Sequence, residues 1–186
     1  MTFEIPLETK KQIKRIAYYQ IIGGLSGLLI GAWGITRVSA TSYGVVIFFF
    51  IGAILFSFSI YCGQRLLKGE IHKALKLSSV NQILQLFTIS VLGFSFTYTA
   101  GLYLALGFDY SSDFKVALSY QISQYFISFE ELSKEVVFQV NLVALFVLYW
   151  ISKVKQKVEK ELSLYNSLLP AESDKDILQS QKDVFF

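Results

Sequence analysis

The chain has 186 residues, of which 53% are apolar and 17% are charged, with a mean hydropathy of +0.49 and a formal net charge of +3. Soluble domains carry about 25% charged residues, so this composition indicates a membrane protein. A single cysteine excludes a disulfide-stabilised secreted scaffold, and the small, dispersed net charge argues against nucleic-acid binding.

Four stretches contain no Asp, Glu, Lys or Arg: residues 16–36, 38–64, 77–108 and 136–152. A membrane-spanning helix needs about 20 predominantly apolar residues. We therefore predict four spans, at about 17–36, 43–63, 83–107 and 136–152. The predicted fold is an all-α bundle of four transmembrane helices, forming a single membrane domain over residues 1–169.

The segments that flank the first two predicted spans are basic. Residues 1–15 contain Pro6, which argues against one continuous helix, so we expect an amphipathic or disordered lead-in. Residues 64–80 place apolar side chains at helical spacing, with lysines on the other faces. This pattern predicts a cytoplasmic amphipathic connector at the membrane interface, with an ordinary helical connector as the alternative.

The extracytoplasmic connection over residues 108–134 fits two periodicities. Apolar residues alternate with polar or small ones from Phe114 to Ile122, as in a strand. Phe114, Leu118, Ile122 and Phe126 also recur at helical spacing. We favour a β-strand or hairpin, because β-branched and aromatic residues dominate, and keep a helix as the alternative.

The last predicted helix has both a start and a stop signal. Ser128 and Glu131 match a capping box, so we expect the helix to begin near residue 129. After its span it would continue as a cytoplasmic extension over residues 153–169, whose apolar stripe could bind a membrane or cytoplasmic protein partner. Residues 170–186 are polar and are predicted to be a disordered tail.

The basic residues predict an orientation. With four spans, 14 of the 17 lysines and arginines fall on the side that both termini share. The positive-inside rule then places both termini in the cytoplasm, in a bacterial inner membrane. The residues that set this orientation are Lys10, Lys11, Lys14, Arg15, Arg65, Lys68, Lys73, Lys76, Lys153, Lys155 and Lys157.

Two kinds of residue within the predicted spans are candidates for helix contacts. Small residues that would let helices approach closely are Gly23, Gly27, Gly31, Gly93, Thr97 and Gly101. We favour packing within one chain, with a homo-oligomer through the first span as the alternative. Polar side chains that need partners in the membrane are Gln20, Asn81, Gln82, Gln85, Thr88, Gln139 and Asn141. They predict structural hydrogen bonds or, alternatively, a polar cavity.

The sequence predicts no catalytic site, metal or cofactor. The one histidine, His72, lies outside the predicted spans, and those spans contain no carboxylate. Three hypotheses follow, each with the lipid bilayer as a partner and without nucleic acid. The first is a non-catalytic interaction or scaffold subunit of a membrane complex. The second is an oligomeric pore-forming or membrane-permeabilising protein, and the third is a carrier of a small uncharged or lipidic solute.

Overall fold

The computed structural model describes residues 5–37, 43–110, 114–129 and 136–168. The helices are α1 (Leu7–Ile35), α2 (Tyr43–Leu67), α3 (Ile71–Leu84) and α4 (Leu142–Leu168), and the strands are β1 (Phe87–Val91), β2 (Phe94–Asp109), β3 (Lys115–Phe129) and β4 (Val137–Asn141). Among the described residues, only α1 and α2 are long and apolar enough to cross a membrane. The predicted all-α, integral membrane bundle of four spans is therefore wrong, because a four-stranded sheet replaces two of its helices.

The third predicted span, 83–107, is the main error. The helix ends at Leu84, and β1 and β2 occupy the rest of the stretch. The reason lies in the period of the side chains. Phe87 and Ile89 alternate with Thr88 and Ser90, a spacing of two that puts apolar and polar groups on opposite faces of a strand. The length of an uncharged stretch does not detect this period.

Tight backbone geometry also explains why this stretch forms a hairpin. Leu92 and Gly93 join β1 to β2 with φ angles of +50° and +84°. Two consecutive positive φ values are typical of the type I′ turn, whose twist matches that of the flanking strands. Gly93 therefore serves a turn, and Thr97 and Gly101 lie in β2 rather than on a helix-packing stripe.

The fourth predicted span, 136–152, is wrong as well. β4 occupies its first residues, and the helix starts at Leu142 rather than near 129. Asn141 makes the cap, because its Oδ1 accepts hydrogen bonds from the backbone N–H groups of Val143 and Ala144, at 3.1 and 3.3 Å. The strand that we favoured over a helix within residues 108–134 is confirmed by β3. The predicted tail, 170–186, lies outside the described residues.

The sheet is antiparallel, in the order β1-β4-β2-β3, with a further pairing between β1 and β2. β2 pairs with β3 along nearly its whole length. At its other edge, the beginning of β2 pairs with β1 and its end pairs with β4. The pairing of β2 with β3 shifts in register between Thr99 and Leu102, where Gly101 has a φ of +117°, a value that favours glycine.

Beyond the register shift in β2, the sheet is polar on its inner face and apolar on its outer face. Its inner face holds a hydrogen-bonded series from Thr88 through Tyr103 and Gln139 to Ser119, with distances of 2.8, 2.9 and 3.2 Å. On the outer face, apolar side chains of β2 and β3 stand directly opposite one another, in the pairs Leu102–Ile122, Leu104–Tyr120, Leu106–Leu118 and Phe108–Val116. These eight side chains are between 39% and 81% exposed. An apolar face of this kind is typical of contact with a membrane or another protein.

The four helices meet at their charged ends, which we call the base. The core of the base consists of Ile13, Ile16, Ala17, Leu66, Ala74, Leu75, Val147, Ile151, Val154 and Val158. α1 starts directly after Pro6, so the part of the expected lead-in from residue 7 onward is helical. Near the base, Thr9 Oγ1 donates to Glu161 at 3.5 Å, which joins the first turn of α1 to the second half of α4.

Candidate functional site

A pocket of about 630 Å³ lies between the second half of α1, the first half of α2 and the middle of β3. Such a volume is within the range of small-molecule sites, about 300–1,000 Å³. Among the residues that the structure describes, the lining carries no charged side chain. It consists of Gly27, Leu28, Ile30, Gly31, Ala32, Gly34, Ile35, Phe48, Phe49, Gly52, Ala53, Phe56, Gln121, Ile122, Ser123, Gln124 and Tyr125.

Glycines decide the shape of the pocket. At Gly27 a Cβ atom would overlap the ring of Phe56, so glycine is needed for that ring to lie against α1. At Gly52 a Cβ atom would lie 2.9 Å from Cδ1 of Tyr125, so glycine lets this ring approach α2. At Gly31 a Cβ atom would meet no atom of the described residues within 4 Å, which leaves the middle of the α1 wall open.

Ser123 joins the sheet to α1 at one edge of the pocket. Its Oγ lies 2.6 Å from Ser26 Oγ, donates to the carbonyl of Gly23 at 3.0 Å and accepts from the backbone N–H of Gly101 at 2.8 Å. Ser123 has a φ of +33°, which L-residues rarely adopt and which costs of the order of 1–3 kcal/mol. These hydrogen bonds hold the strained residue where the irregular part of β2 faces α1.

A buried polar cluster begins behind the pocket. The ring of Phe56 packs against Tyr98, with centroids 5.7 Å apart. The Tyr98 hydroxyl lies 2.7 Å from the carbonyl of Leu55 and 3.2 Å from Asn81 Oδ1. Burial raises the pKa of the Tyr98 phenol, so the group stays protonated and acts as a donor. The cluster thus connects α2, α3 and β2 directly behind an apolar wall.

The cluster continues to α1. Asn81 Nδ2 donates to Ser59 Oγ at 3.1 Å, and Ser59 Oγ donates to the carbonyl of Gln20 at 3.0 Å. Ser78 Oγ donates to Gln20 Oε1 at 3.3 Å. The predicted polar residues Gln20 and Asn81 therefore meet in one network, although 61 positions separate them in the chain.

Gln85 and Asn141 form a second junction nearby. Gln85 Oε1 accepts from the backbone N–H of Ala100 at 3.0 Å, and its carbonyl accepts from Asn141 Nδ2 at 3.3 Å. Within the described residues, several buried polar atoms of this region have no hydrogen-bond partner: Gln20 Nε2, Gln82 Nε2, Gln82 Oε1, Gln85 Nε2 and Thr99 Oγ1. Thr88 and Gln139 do not join this region, because they bond within the sheet.

The other predicted residues lie elsewhere. A Cβ atom at Gly23 would be 2.5 Å from the carbonyl oxygen of Ala100, so this glycine packs against β2 of the same chain. Arg65 forms an ion pair with Glu70. The basic residues predicted to set the orientation lie on the first turns of α1, from the end of α2 into α3, and on the middle of α4. In the described ranges, no group of three or more His, Cys, Asp or Glu could hold a metal ion.

Sequence reasoning did not identify the pocket. Its distinctive residues are Gly52, Phe56, Ser123 and Tyr125, and none of them carries a motif. The alternation around residues 114–122 indicates a strand but does not say which helices that strand will contact. Comparisons of the chain with protein-family models, curated proteins and solved structures find no match.

Proposed function

We propose that this protein is a membrane-anchored, non-catalytic binding protein that holds a lipidic molecule in the pocket between α1, α2 and β3. The observation that carries the proposal is the uncharged, mainly apolar lining of this pocket. Ligand sites of this type exclude water from an apolar body and orient it with a few polar groups. Here the polar groups come from one strand, at Gln121, Ser123, Gln124 and Tyr125. The proposal develops the third sequence hypothesis, a carrier of a lipidic solute.

The exposure of the hairpin formed by α1 and α2 supports a membrane location. The most apolar windows of these helices have mean hydropathies of 1.3 and 2.5, yet only 33% and 22% of them are buried within the protein. The central helix of a soluble protein would be mostly buried. The apolar outer face of the sheet adds further surface that favours lipid over water. A pocket beside such a hairpin could take up a lipid directly from the bilayer.

We propose the inner membrane of a bacterium as the location, with both ends of the described chain on the cytoplasmic side. The basic residues of α1, α3 and α4 support this orientation, because they accompany helix segments that share the core of the base. The hairpin would then enter the membrane from the cytoplasm.

The interaction-subunit hypothesis has less support than the pocket. It requires a free apolar stripe on residues 153–169, but Val154 and Val158 are buried in the core of the base. Leu164 is exposed, and one such residue is common on protein surfaces. We therefore favour the binding of a lipidic ligand over the binding of a partner helix as the function.

Photocrosslinking in nanodiscs tests the proposal. The probe is a long-chain hydrocarbon carrying a diazirine, and labelled peptides are mapped by mass spectrometry. We expect labelling to concentrate on the peptides of α2 and β3 that line the pocket. Gly31→Phe should suppress this labelling, because Gly31 lines the pocket and has open space around its Cβ position.

A matched variant separates pocket filling from a general effect on the hairpin. Leu25→Phe adds the same ring to an exposed position of α1 outside the pocket lining, and should leave the labelling unchanged. Thermal unfolding of both variants checks that they fold. Labelling that is spread evenly over the apolar surface, or that survives in folded Gly31→Phe, would contradict the proposal.

A further inference from the structure

The sheet ends at β3, and the side of this strand that faces away from β2 has no neighbouring strand. In the order β1-β4-β2-β3 this strand lies last, and within the described residues it pairs with β2 alone. Natural edge strands are usually short, or carry charges or proline that prevent pairing with another chain. β3 has 15 residues, and from Val116 to Phe129 it contains neither a charged residue nor a proline. The edge of β3 therefore lacks the usual protection.

The hydrogen bonds of β2 identify the backbone groups that lie along this edge. Just after β2, the backbone N–H of Tyr110 donates to the carbonyl of Val136, on the side that faces β4. Successive residues of a strand direct these groups to alternate sides, so Asp109 and every second residue before it face β3. Their partners are the odd-numbered residues of β3. The even-numbered residues consequently direct N–H and C=O groups to the open edge, and they are Val116, Leu118, Tyr120 and Ile122.

The same four residues carry the most exposed part of the apolar outer face. Their side chains are between 62% and 81% exposed, whereas their partners in β2 are between 39% and 56% exposed. In a bilayer, the unpaired N–H and C=O groups of the edge would have no water to bond to. In water, the backbone groups would be hydrated, but the apolar side chains would stay exposed and could pair with another chain. A further strand beside β3 removes both costs.

The edge of β3 is complementary to itself. If β3 pairs antiparallel with β3 of a second copy, with Ser119 opposite Ser119, then Leu118 lies opposite Tyr120 and Val116 lies opposite Ile122. Each of these four residues donates and accepts one hydrogen bond, which gives about eight bonds across the pair. Apolar side chains meet apolar ones on the outer face, a favourable cross-strand arrangement. The pairing ends before Ser123, whose φ of +33° interrupts the regular strand.

We infer that two copies of the protein associate through the edge of β3 and form one continuous antiparallel sheet, with a two-fold axis at Ser119. The apolar outer face then continues across both copies. This interface differs from the homo-oligomer through the first span, because Gly23 and Gly27 already pack within the chain, against Ala100 and Phe56. The inference goes beyond the proposed function and does not depend on the ligand pocket.

Disulfide crosslinking in membranes tests the position of the axis, in a Cys62→Ala background that contains no other thiol. Ser119→Cys places two thiols directly opposite each other at a non-hydrogen-bonded pair, where Cα atoms lie about 4.5 Å apart, close enough for a disulfide. An oxidant should therefore produce a covalent dimer. Ala117→Cys is the matched control on the same face, because its two copies would lie at least about 13 Å apart along the strands. Adding Gln121→Cys to Ala117→Cys should restore the crosslink, since these two positions lie opposite each other.

A proline at the edge tests the backbone pairing itself. Leu118→Pro removes an N–H group that points away from β2, so the pairing with β2 is kept. By symmetry each dimer loses two hydrogen bonds, and we expect association to weaken by about fivefold or more. Leu118→Ala removes most of the same side chain but keeps the N–H group, and should weaken association less. Native mass spectrometry from nanodiscs measures the dimer, and thermal unfolding checks that both variants fold.

The two experiments can each contradict the interface. A monomer in nanodiscs, no crosslink in Ser119→Cys, or equal crosslinking of Ser119→Cys and Ala117→Cys would overturn the inference. A dimer that is unchanged in folded Leu118→Pro would do the same. These results leave the proposed function untouched, because photolabelling of the pocket by the hydrocarbon probe is measured separately.

Discussion

Gly23 and Gly31 lie on the same helix, α1, but have opposite roles. Replacing each by alanine, which adds one methyl group, distinguishes these roles. Gly23 lies against the backbone of β2, where a Cβ atom would be 2.5 Å from the carbonyl oxygen of Ala100. Gly31 has open space around its Cβ position. The four-residue spacing that suggested one packing stripe therefore joins residues in different surroundings. Only contacts with other elements, which lie far away in the chain, reveal the difference.

We predict stability changes of opposite sign for alanine at these two positions. Gly31→Ala should stabilise the protein by about 0.5–1 kcal/mol, because alanine loses less backbone entropy than glycine in a helix. Gly23→Ala should destabilise it by about 1–3 kcal/mol, since the methyl group must displace the strand backbone. Thermal unfolding in detergent measures both. Stabilisation by Gly23→Ala would show that α1 does not pack against β2 as described, and destabilisation by Gly31→Ala would show that its Cβ position is not open.

The buried amides illustrate what sequence can and cannot provide at this scale. A glutamine such as Gln20 in a charge-free stretch requires a partner, and this follows from its chemistry alone. The identity of that partner does not follow from the chemistry of glutamine. Ser78 is 58 positions away, and it reaches Gln20 only because α3 folds back toward α1 and α2.

At the level of elements, the helical hairpin was predictable and the sheet was largely not. The predicted second span, 43–63, lies within α2 because that stretch has a hydropathy high enough to outweigh any competing signal. Residues 77–108 are also uncharged, but they contain the end of one helix and two strands. The alternation around Thr88 and Ser90 was a local signal for strands, and the hydropathy criterion ignored it.

The start of α4 allows a second prediction about stability. The residue that caps this helix is Asn141, and not a residue near 129 as the sequence suggested. Asn141→Ala should destabilise the protein by about 1–2 kcal/mol, since two backbone N–H groups lose their acceptor. Asn141→Ser keeps a good capping hydroxyl but shortens the side chain that donates to Gln85. It should therefore recover much of the loss in thermal unfolding. If alanine and serine behaved alike, the hydrogen bond to Gln85 would dominate over the cap.

For the whole molecule, charge and burial divide the protein into two parts. The base contains the basic ends of the helices around a buried core. The rest presents the apolar hairpin and the apolar outer face of the sheet. The asymmetry of charge could be seen in the sequence. The presence of a sheet in the second part could not. An uncharged strand with polar groups on its inner face has the same overall hydropathy as a helix of mixed residues.

This division predicts a specific pattern of accessibility to a membrane-impermeant thiol reagent. Cys62 is fully buried, and Cys62→Ala supplies a background without thiols. Lys10→Cys and Ser163→Cys lie on exposed positions of the base, and Tyr43→Cys lies at the opposite end of the hairpin, where Tyr43 is 92% exposed. With both ends of the described chain in the cytoplasm, Tyr43→Cys should react in intact spheroplasts. The two positions of the base should react only after the membrane is opened.

The same labelling experiment can test the outer face of the sheet. Tyr120→Cys places a thiol at an exposed position of that face and reports whether the position contacts lipid or water. If that face contacts the bilayer, its thiol should resist the reagent even in opened membranes and react once detergent replaces the lipid. Lys115→Cys, at the start of the same strand, should react without detergent, since its lysine is charged and exposed. Rapid labelling of Tyr120→Cys in opened membranes would place the sheet in water. Equal labelling of Lys10→Cys and Tyr43→Cys in spheroplasts would contradict a hairpin that crosses the membrane.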